Sequence, residues 1–249
     1  MDIKIIVATH KKYWMPKDGM YLPVQVGHAG KEDLGYTGDD TGDNISEKNA
    51  NYCELTGLYW AWKNLKADYL GIAHYRRHFS VKRGKDKFER ILSQKDAAAL
   101  LCTTDVLLPK PRNYYIETNY SQYAHAHHAI DLDTTREILC EMYPDYVEAF
   151  DRSMKSTKGH RFNMFIMKRD LADQYCQWLF GILFELERRL DISEYSKNDA
   201  RVFGFVSERL LDVWLETKRI RYREIPYIFM ENENWYKKGV SFLKRKFAK

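Results

Sequence analysis

The chain has 249 residues, of which 45% are hydrophobic, 14% aromatic and 30% charged. That balance excludes a disordered polar chain and fits a globular protein with a real core. Its net charge of +5 is small and spread out; with no zinc-finger or RNA-recognition spacing it argues against a nucleic-acid partner. Cys53, Cys102, Cys140 and Cys176 lie far apart and form no C-x-x-C pair, so neither a metal knuckle nor a redox motif is expected, and reduced cytoplasmic thiols are the default.

Residues 1–9 are too short and too quickly polar for a signal peptide. No apolar run approaches the length of a membrane span, so an enzyme working inside the cell is expected. Ile3 to Ala8 reads as a buried first strand that stops at the polar cluster Thr9-His10-Lys11-Lys12, a candidate site edge because open α/β sheets bind ligands at the carboxyl ends of strands. Tyr21 to Val26 is a second short strand. After the Gly/Asp/Asn/Thr loop 35–46, Ser46 is expected to N-cap a well-buried helix running to about Leu65. Tyr69 to Ala73 is another buried strand, ending abruptly in His74-Tyr75-Arg76-Arg77-His78-Phe79. A basic loop and a helix are expected over 81–100, a strand over 105–108 and a long polar stretch over 112–133. Then follow a helix over 134–155, a strand over 162–167, helices over 169–191 and 199–216, and a closing strand over 225–230. Alternating strands and helices in the first half point to a mostly parallel sheet, and the second half to a helical layer.

The cluster at 74–78 is the sharpest chemical feature. Arginine offers a planar fork of donors to phosphate oxygens, and fixed positive charge stabilises a leaving diphosphate; the plainer alternative is a solvated basic turn. The loop Gly38–Ser46 matches neither an EF-hand nor a Walker loop, and either contacts hydroxyls or a metal or is an Asx-rich turn capping a helix. The stretch 120–133 gathers His125, His127, His128, Asp131 and Asp133. It lacks H-E-x-x-H spacing, so substrate contact is preferred there to a metal. Asn163 is polar within a strand, and Glu208 and Arg209 interrupt an apolar helix. Such a carboxylate is either functional or paired in a structural salt bridge.

IIVATHK at 5–11, GDNISEKN at 42–49, NYCELTGLYWAWKN at 51–64, YLGIAHYRRHF at 69–79, RFNMFIM at 161–167 and RVFGFVSERL at 201–210 together resemble the bacterial family catalogued as "domain of unknown function 4422". Its members occur with capsule, exopolysaccharide and O-antigen genes, and those characterised look like galactofuranosyl- or galactosyltransferases using a UDP-sugar. The resemblance implies an α/β, GT-A-like, mostly parallel sheet with a nucleotide-binding N-terminal half and a helical C-terminal half. It also implies a UDP-sugar donor and a lipid-linked or oligosaccharide acceptor. Where the broader GT-A pattern carries D-x-D for Mn²⁺ or Mg²⁺, this chain has Arg76 and Arg77. Diphosphate binding without a metal is therefore the favoured expectation, and no metal ligands are assigned.

An inverting transfer needs a carboxylate base near the acceptor and positive charge near the leaving group. Thr9, His10, Lys11, Asp43 and Asn44 are expected to line the nucleotide, with His74, Arg76 and Arg77 at the diphosphate. Glu208 is the first candidate base and Asp131 the second, while His127, Asn163 and Arg209 are expected at the acceptor sugar. The rival reading is a non-catalytic carbohydrate-binding or assembly protein, which needs no diphosphate pocket. Residues 1–234 are expected to form one domain. Residues 235–249 read as a basic amphipathic tail able to lie on an anionic membrane, or else as a frayed terminus.

Overall fold

The computed structural model describes residues 1–81 and 84–231; the tail Trp235–Lys249, and with it the expected membrane contact, lies outside them. Strand β1 (Ile3–Thr9) is apolar except at Lys4 and Thr9 because both its faces are covered. Ile3, Ile5 and Val7 enter one core and Ile6 and Ala8 the other. Each fully buried aliphatic side chain of this kind contributes about 1.5–3 kcal/mol, which is why β1 anchors the sheet.

On one side of β1 lie β2 (Tyr21–Gln25) and then β3 (Thr37–Gly38); on the other lie β4 (Tyr69–His74), β9 (Phe165–Lys168), β6 (Val106–Pro109) and β10 (Arg223–Ile225). The pairs β1–β2, β1–β4, β2–β3 and β6–β10 are parallel, whereas β9 runs antiparallel to both neighbours. The result is the mixed, mainly parallel α/β sheet expected. From β4 the chain turns back into β5 (Arg77–Phe79), which pairs with β11 (Tyr227–Phe229). A separate ribbon joins β7 (Arg112–Asn113) to β8 (Lys158–Gly159).

Helices α1 (Asn49–Tyr52) and α2 (Leu55–Asn64) carry the chain from β3 across to β4. They share the larger core with α5 (Ala129–Met142), α6 (Val147–Lys155), α7 (Arg169–Arg189) and α8 (Val202–Thr217). Helix α3 (Gln94–Leu101) and the β5–β11 pair cover the opposite face. The strand order reverses at β1, where β2 departs to one side and β4 to the other. Connections leaving in opposite directions open a crevice outside the carboxyl ends of those strands.

Several boundaries differ from the sequence reading for local reasons. The single helix expected from Ser46 is three pieces: a 3-10 turn over Ser46–Lys48, α1, and α2. Cys53 adopts φ 54° between the two helices, an uncommon backbone state for a non-glycine residue. The carbonyl freed by this break accepts from Asn49 Nδ2 (2.7 Å) and Thr56 Oγ1 (3.1 Å). Ser46 does not cap; its hydroxyl donates to Asp39 and accepts from the Ala29 amide. The supposed polar stretch holds α4 (Asn119–Ala126), capped by Thr118, whose Oγ1 accepts from the Ser121 amide at 3.0 Å. It also holds the first turn of α5. The helix expected over 134–155 is split before Pro144, because a residue preceding proline is pushed out of the helical region. Phe162 and Asn163 both have positive φ, so β9 begins only at Phe165.

Candidate active site

A cavity of about 460 Å³ occupies the crevice at the carboxyl ends of β1, β2 and β4. His10 enters it directly after β1, Val26 after β2, and His74, Tyr75 and Arg76 from the turn joining β4 to β5. Asn49, Ala50, Cys53 and Glu54 come from the broken α1–α2 pair, and Arg201 from the start of α8. The break at Cys53 is what points this segment into the crevice: Glu54 becomes the residue that opens α2 at the sheet edge. Gly27, at φ +62°, makes room for the same segment, since a Cβ there would meet the Asn49 side chain at 2.4 Å.

Among the described residues, Glu54 is the only carboxylate lining this cavity, and His10, His74, Arg76 and Arg201 surround it. Its Oε1 accepts from Asn163 Nδ2 at 2.7 Å. The Asn163 amide is itself oriented: Nδ2 also donates to Gly204 O (3.1 Å), and Oδ1 accepts from Ser207 Oγ (2.9 Å). Burial raises the Glu54 carboxyl above the ordinary glutamate value, with the Asn163 hydrogen bond, a hydrogen bond from its own backbone amide, and then Arg201 and Arg77 opposing the rise. His74 Nε2 lies 2.5 Å from Phe162 O, which accepts only, so the proton sits on Nε2. Burial, reinforced by Arg77, pushes His74 down to about 4, leaving it neutral near pH 7. His10 is lowered by burial and then by Lys11 and Arg76. The Cys53 thiol, to which Arg201 Nε donates at 3.1 Å, is pushed up to about 11, chiefly by burial and then by Glu54. Positive charge, one carboxylate and neutral imidazoles thus share one crevice.

Of the residues singled out in the sequence, His10, His74 and Arg76 line the cavity. Lys11 sits beside it, 4.9 Å above the Tyr75 ring and 3.4 Å from Glu231. Thr9 ends β1, its hydroxyl donating to Lys11 O at 2.6 Å. Arg77 does not stand with Arg76: its guanidinium is wedged between the rings of Phe162 (4.2 Å) and Phe229 (4.7 Å). Asp43 and Asn44 do not reach the cavity. Asp43 accepts from Tyr59 Oη (3.1 Å) at the far end of α2, and Asn44 closes an Asx turn onto the Ser46 amide (3.1 Å). The loop's buried member is Asp39, which accepts from the amides of Gly27 (2.8 Å) and His28 (3.0 Å).

The acceptor-side expectations scatter further. Asn163 stands behind Glu54 and contacts it. Arg209 is buried, with its guanidinium on Phe205 O (2.9 Å) and Gln122 Oε1 (2.9 Å) and 4.9 Å from the Tyr123 ring. His127 stacks on Phe205 at 4.2 Å and pairs with Asp199 at 3.0 Å. Asp131 is 1% exposed and both its oxygens are taken, by Tyr123 Oη and Tyr195 Oη at 2.7 Å each. This arrangement braces α4 and α5 and removes Asp131 as a base. Glu208 pairs with Arg209 at 3.3 Å, the structural salt bridge foreseen as its alternative. It still lies close enough to raise His74 and Arg77 electrostatically.

Glu54, Cys53 and Arg201 were missed. The signal was present, because Glu54 is a carboxylate inside an apolar helical run, the same criterion that singled out Glu208. A second hollow of about 430 Å³ lies between α6, α8 and the β7–β8 ribbon. Its polar groups engage one another, His160 Nδ1 with Asp212 (2.5 Å) and Arg152 with Glu216 (2.6 Å). Among the described residues, no three His, Cys, Asp or Glu side chains converge as a metal site would require, and no helix is long and apolar enough to cross a membrane.

The chain is similar to the WbbM bifunctional glycosyltransferase, solved in its apo form, with 32% identity and a TM-score of 0.87. The similarity covers 94% of this chain but 46% of that one, so the chain spans about half the length of WbbM. No curated protein sequence matches it. Residues 4–219 match the family described as "domain of unknown function (DUF4422)", and the chain belongs to that family.

Proposed function

We propose that the protein is a glycosyltransferase that moves a hexose, galactofuranose or galactose, from a UDP-sugar to a lipid-linked or oligosaccharide acceptor in surface polysaccharide synthesis. The observation that carries this reading is the cation-lined cavity at the carboxyl ends of β1 and β4, holding His10, Arg76 and Arg201 around one carboxylate. The likeness to the WbbM glycosyltransferase over nearly the whole of this chain supports it.

In this reading the diphosphate sits against Arg76 and Arg201, and His10 contacts the nucleotide. As the bond from the anomeric carbon to the phosphate oxygen breaks, negative charge grows on the diphosphate, and the fixed guanidinium groups stabilise it where it develops. Neutral His74, its Nε2 proton committed to Phe162 O, lines the cavity without adding charge. The acceptor hydroxyl enters from the opposite face, so the transfer inverts the anomeric centre. Arg76 and Arg201 take the place of a bridging cation, and the donor binds without Mn²⁺ or Mg²⁺.

Titration calorimetry with UDP, followed by a screen of UDP-sugars for UDP release in the presence of lipid-linked saccharides, tests the proposal. Saturable UDP binding that persists in EDTA, and release from one donor, are expected. Absence of UDP binding would sink the reading, and binding that disappears in EDTA and returns with Mn²⁺ would sink its metal-free form.

A further inference from the structure

We infer that Glu54 is the catalytic base, with Asn163 as its positioning residue. This rests on the glycosyltransferase reading above and replaces the earlier candidates for that role. Three observations converge. Glu54 is the only carboxylate among the described residues that line the cavity. Its side chain is 14% exposed and lines a cavity that is otherwise cationic and neutral, so it is desolvated yet reachable. Its orientation is fixed from behind by an amide that has no freedom to flip. Asn163 Nδ2 donates to Glu54 Oε1 and to Gly204 O, while Ser207 Oγ donates to Asn163 Oδ1. Asn163 holds Oε1, and Oε2 receives no side-chain hydrogen bond among the described residues.

The alternatives fail on geometry. Asp131 has both oxygens occupied by tyrosine hydroxyls. Glu208 is paired with Arg209 and does not line the cavity.

The step balances as follows. The acceptor hydroxyl oxygen forms a bond to the anomeric carbon, and its proton passes to the Glu54 carboxylate. The bond between that carbon and the β-phosphate oxygen breaks, and its electron pair leaves with UDP beside Arg76 and Arg201. Glu54 then releases the proton to water. Burial raises the Glu54 carboxyl, which brings a carboxylate base closer to the working pH.

The test uses the full chain and the donor identified by the screen above. Glu54→Gln keeps the shape and the Asn163 hydrogen bond. It is expected to bind UDP within about threefold of wild type and to lose roughly 10²–10⁴-fold in turnover, the range of general-base catalysis. Retained UDP binding doubles as proof of folding, and Glu54→Asp supplies a second variant if Gln is not tolerated; it is expected to keep partial activity. Glu208→Gln is expected to stay within a few-fold of wild type. Asn163 sits at φ 50°, so Asn163→Gly keeps the backbone. Removing its hydrogen bond from the carboxylate should move the acid limb of the turnover profile to higher pH, which a merely structural role would not do. Glu54→Gln with more than a tenth of wild-type turnover, or an unmoved limb in Asn163→Gly, overturns the assignment. A wild type that binds no UDP overturns the parent reading, and this one with it.

Discussion

Two buried histidines should make this protein acid-sensitive well above the range where carboxylates titrate. His74 and His78 are both pushed to about 4, chiefly by burial, from an ordinary value of 6.5. His78 is fully buried, with the rings of Tyr21 and Trp14 edge-on at 5.8 and 6.4 Å. A histidine lowered on folding contributes stability that is complete above pH 6.5 and is lost as pH falls towards 4, because the unfolded chain binds the proton first. For that pair of values, each residue forfeits about 2 kcal/mol between pH 7.5 and pH 5, with a slope at pH 5 of about 0.9 proton each. Together that is about 4 kcal/mol, a large part of the 5–15 kcal/mol typical of a whole domain. Glu54 works in the opposite sense. Its raised carboxyl contributes stability that is present below the unfolded value and lost as pH rises through the folded one, so it offsets part of the histidine loss in wild type. The isolating experiment is therefore a difference: urea unfolding of wild type and His78→Gln at pH 7.5, 6.5, 5.8 and 5. His78→Gln is expected to be less stable at pH 7.5, yet to lose about 2 kcal/mol less on going to pH 5. Parallel stability curves for the two proteins would refute the reasoning.

The two neighbouring arginines should separate cleanly. Arg76→Ala is expected to weaken UDP binding by about 1.5–3 kcal/mol, the worth of hydrogen bonds to a charged partner, with little change in Tm. Arg77→Ala is expected to lower Tm instead, because it empties the space between Phe162 and Phe229; calorimetry and thermal melts on both variants decide. Asp131→Asn should cost about 1–3 kcal/mol of stability by weakening the acceptors of one buried and one half-buried tyrosine hydroxyl, while UDP binding measured by calorimetry stays at wild-type strength. For the tail outside the described residues, co-sedimentation with anionic vesicles should be stronger for the full chain than for residues 1–234, and should fall with salt at about 1 kcal/mol per cation engaged. Equal pelleting would remove the tail from the membrane proposal.

What could be read in advance followed the physics of each signal. β1, β4 and α7 are legible because a strand covered on both faces is mostly apolar, and because Leu171, Tyr175, Trp178, Leu179, Ile182 and Leu186 repeat at helical spacing. Their position directly after apolar strands puts His10, His74 and Arg76 at the carboxyl edge of the sheet. Glu54 is legible as a carboxylate in an apolar run, but its direction is not. A positive φ at cysteine leaves no mark in composition, so the broken helix reads as continuous and nothing turns its carboxylate into the crevice. Asp131 failed for the opposite reason. It looked reactive because histidines surround it in the chain, but the tyrosine that takes one of its oxygens, Tyr195, lies 64 residues away. Asp43 and Asn44 failed because a glycine-rich acidic loop has the same composition whether it greets a ligand or ties a turn.

The break at Cys53 ties the completion of the crevice to the order in which the chain folds. The side chains that orient Glu54 and hold Cys53 at the α1–α2 junction arrive late in the chain: Asn163 is 109 residues beyond Glu54, and Arg201 is 148 beyond Cys53. Closing loops of that length costs chain entropy that only the completed sheet and helical layer can offset. During synthesis the strands β1, β2 and β4 emerge early, yet the pocket at their ends has neither its oriented carboxylate nor its second guanidinium until α8 docks. Completion of the cavity is therefore a late folding event, acquired together with the last large helix.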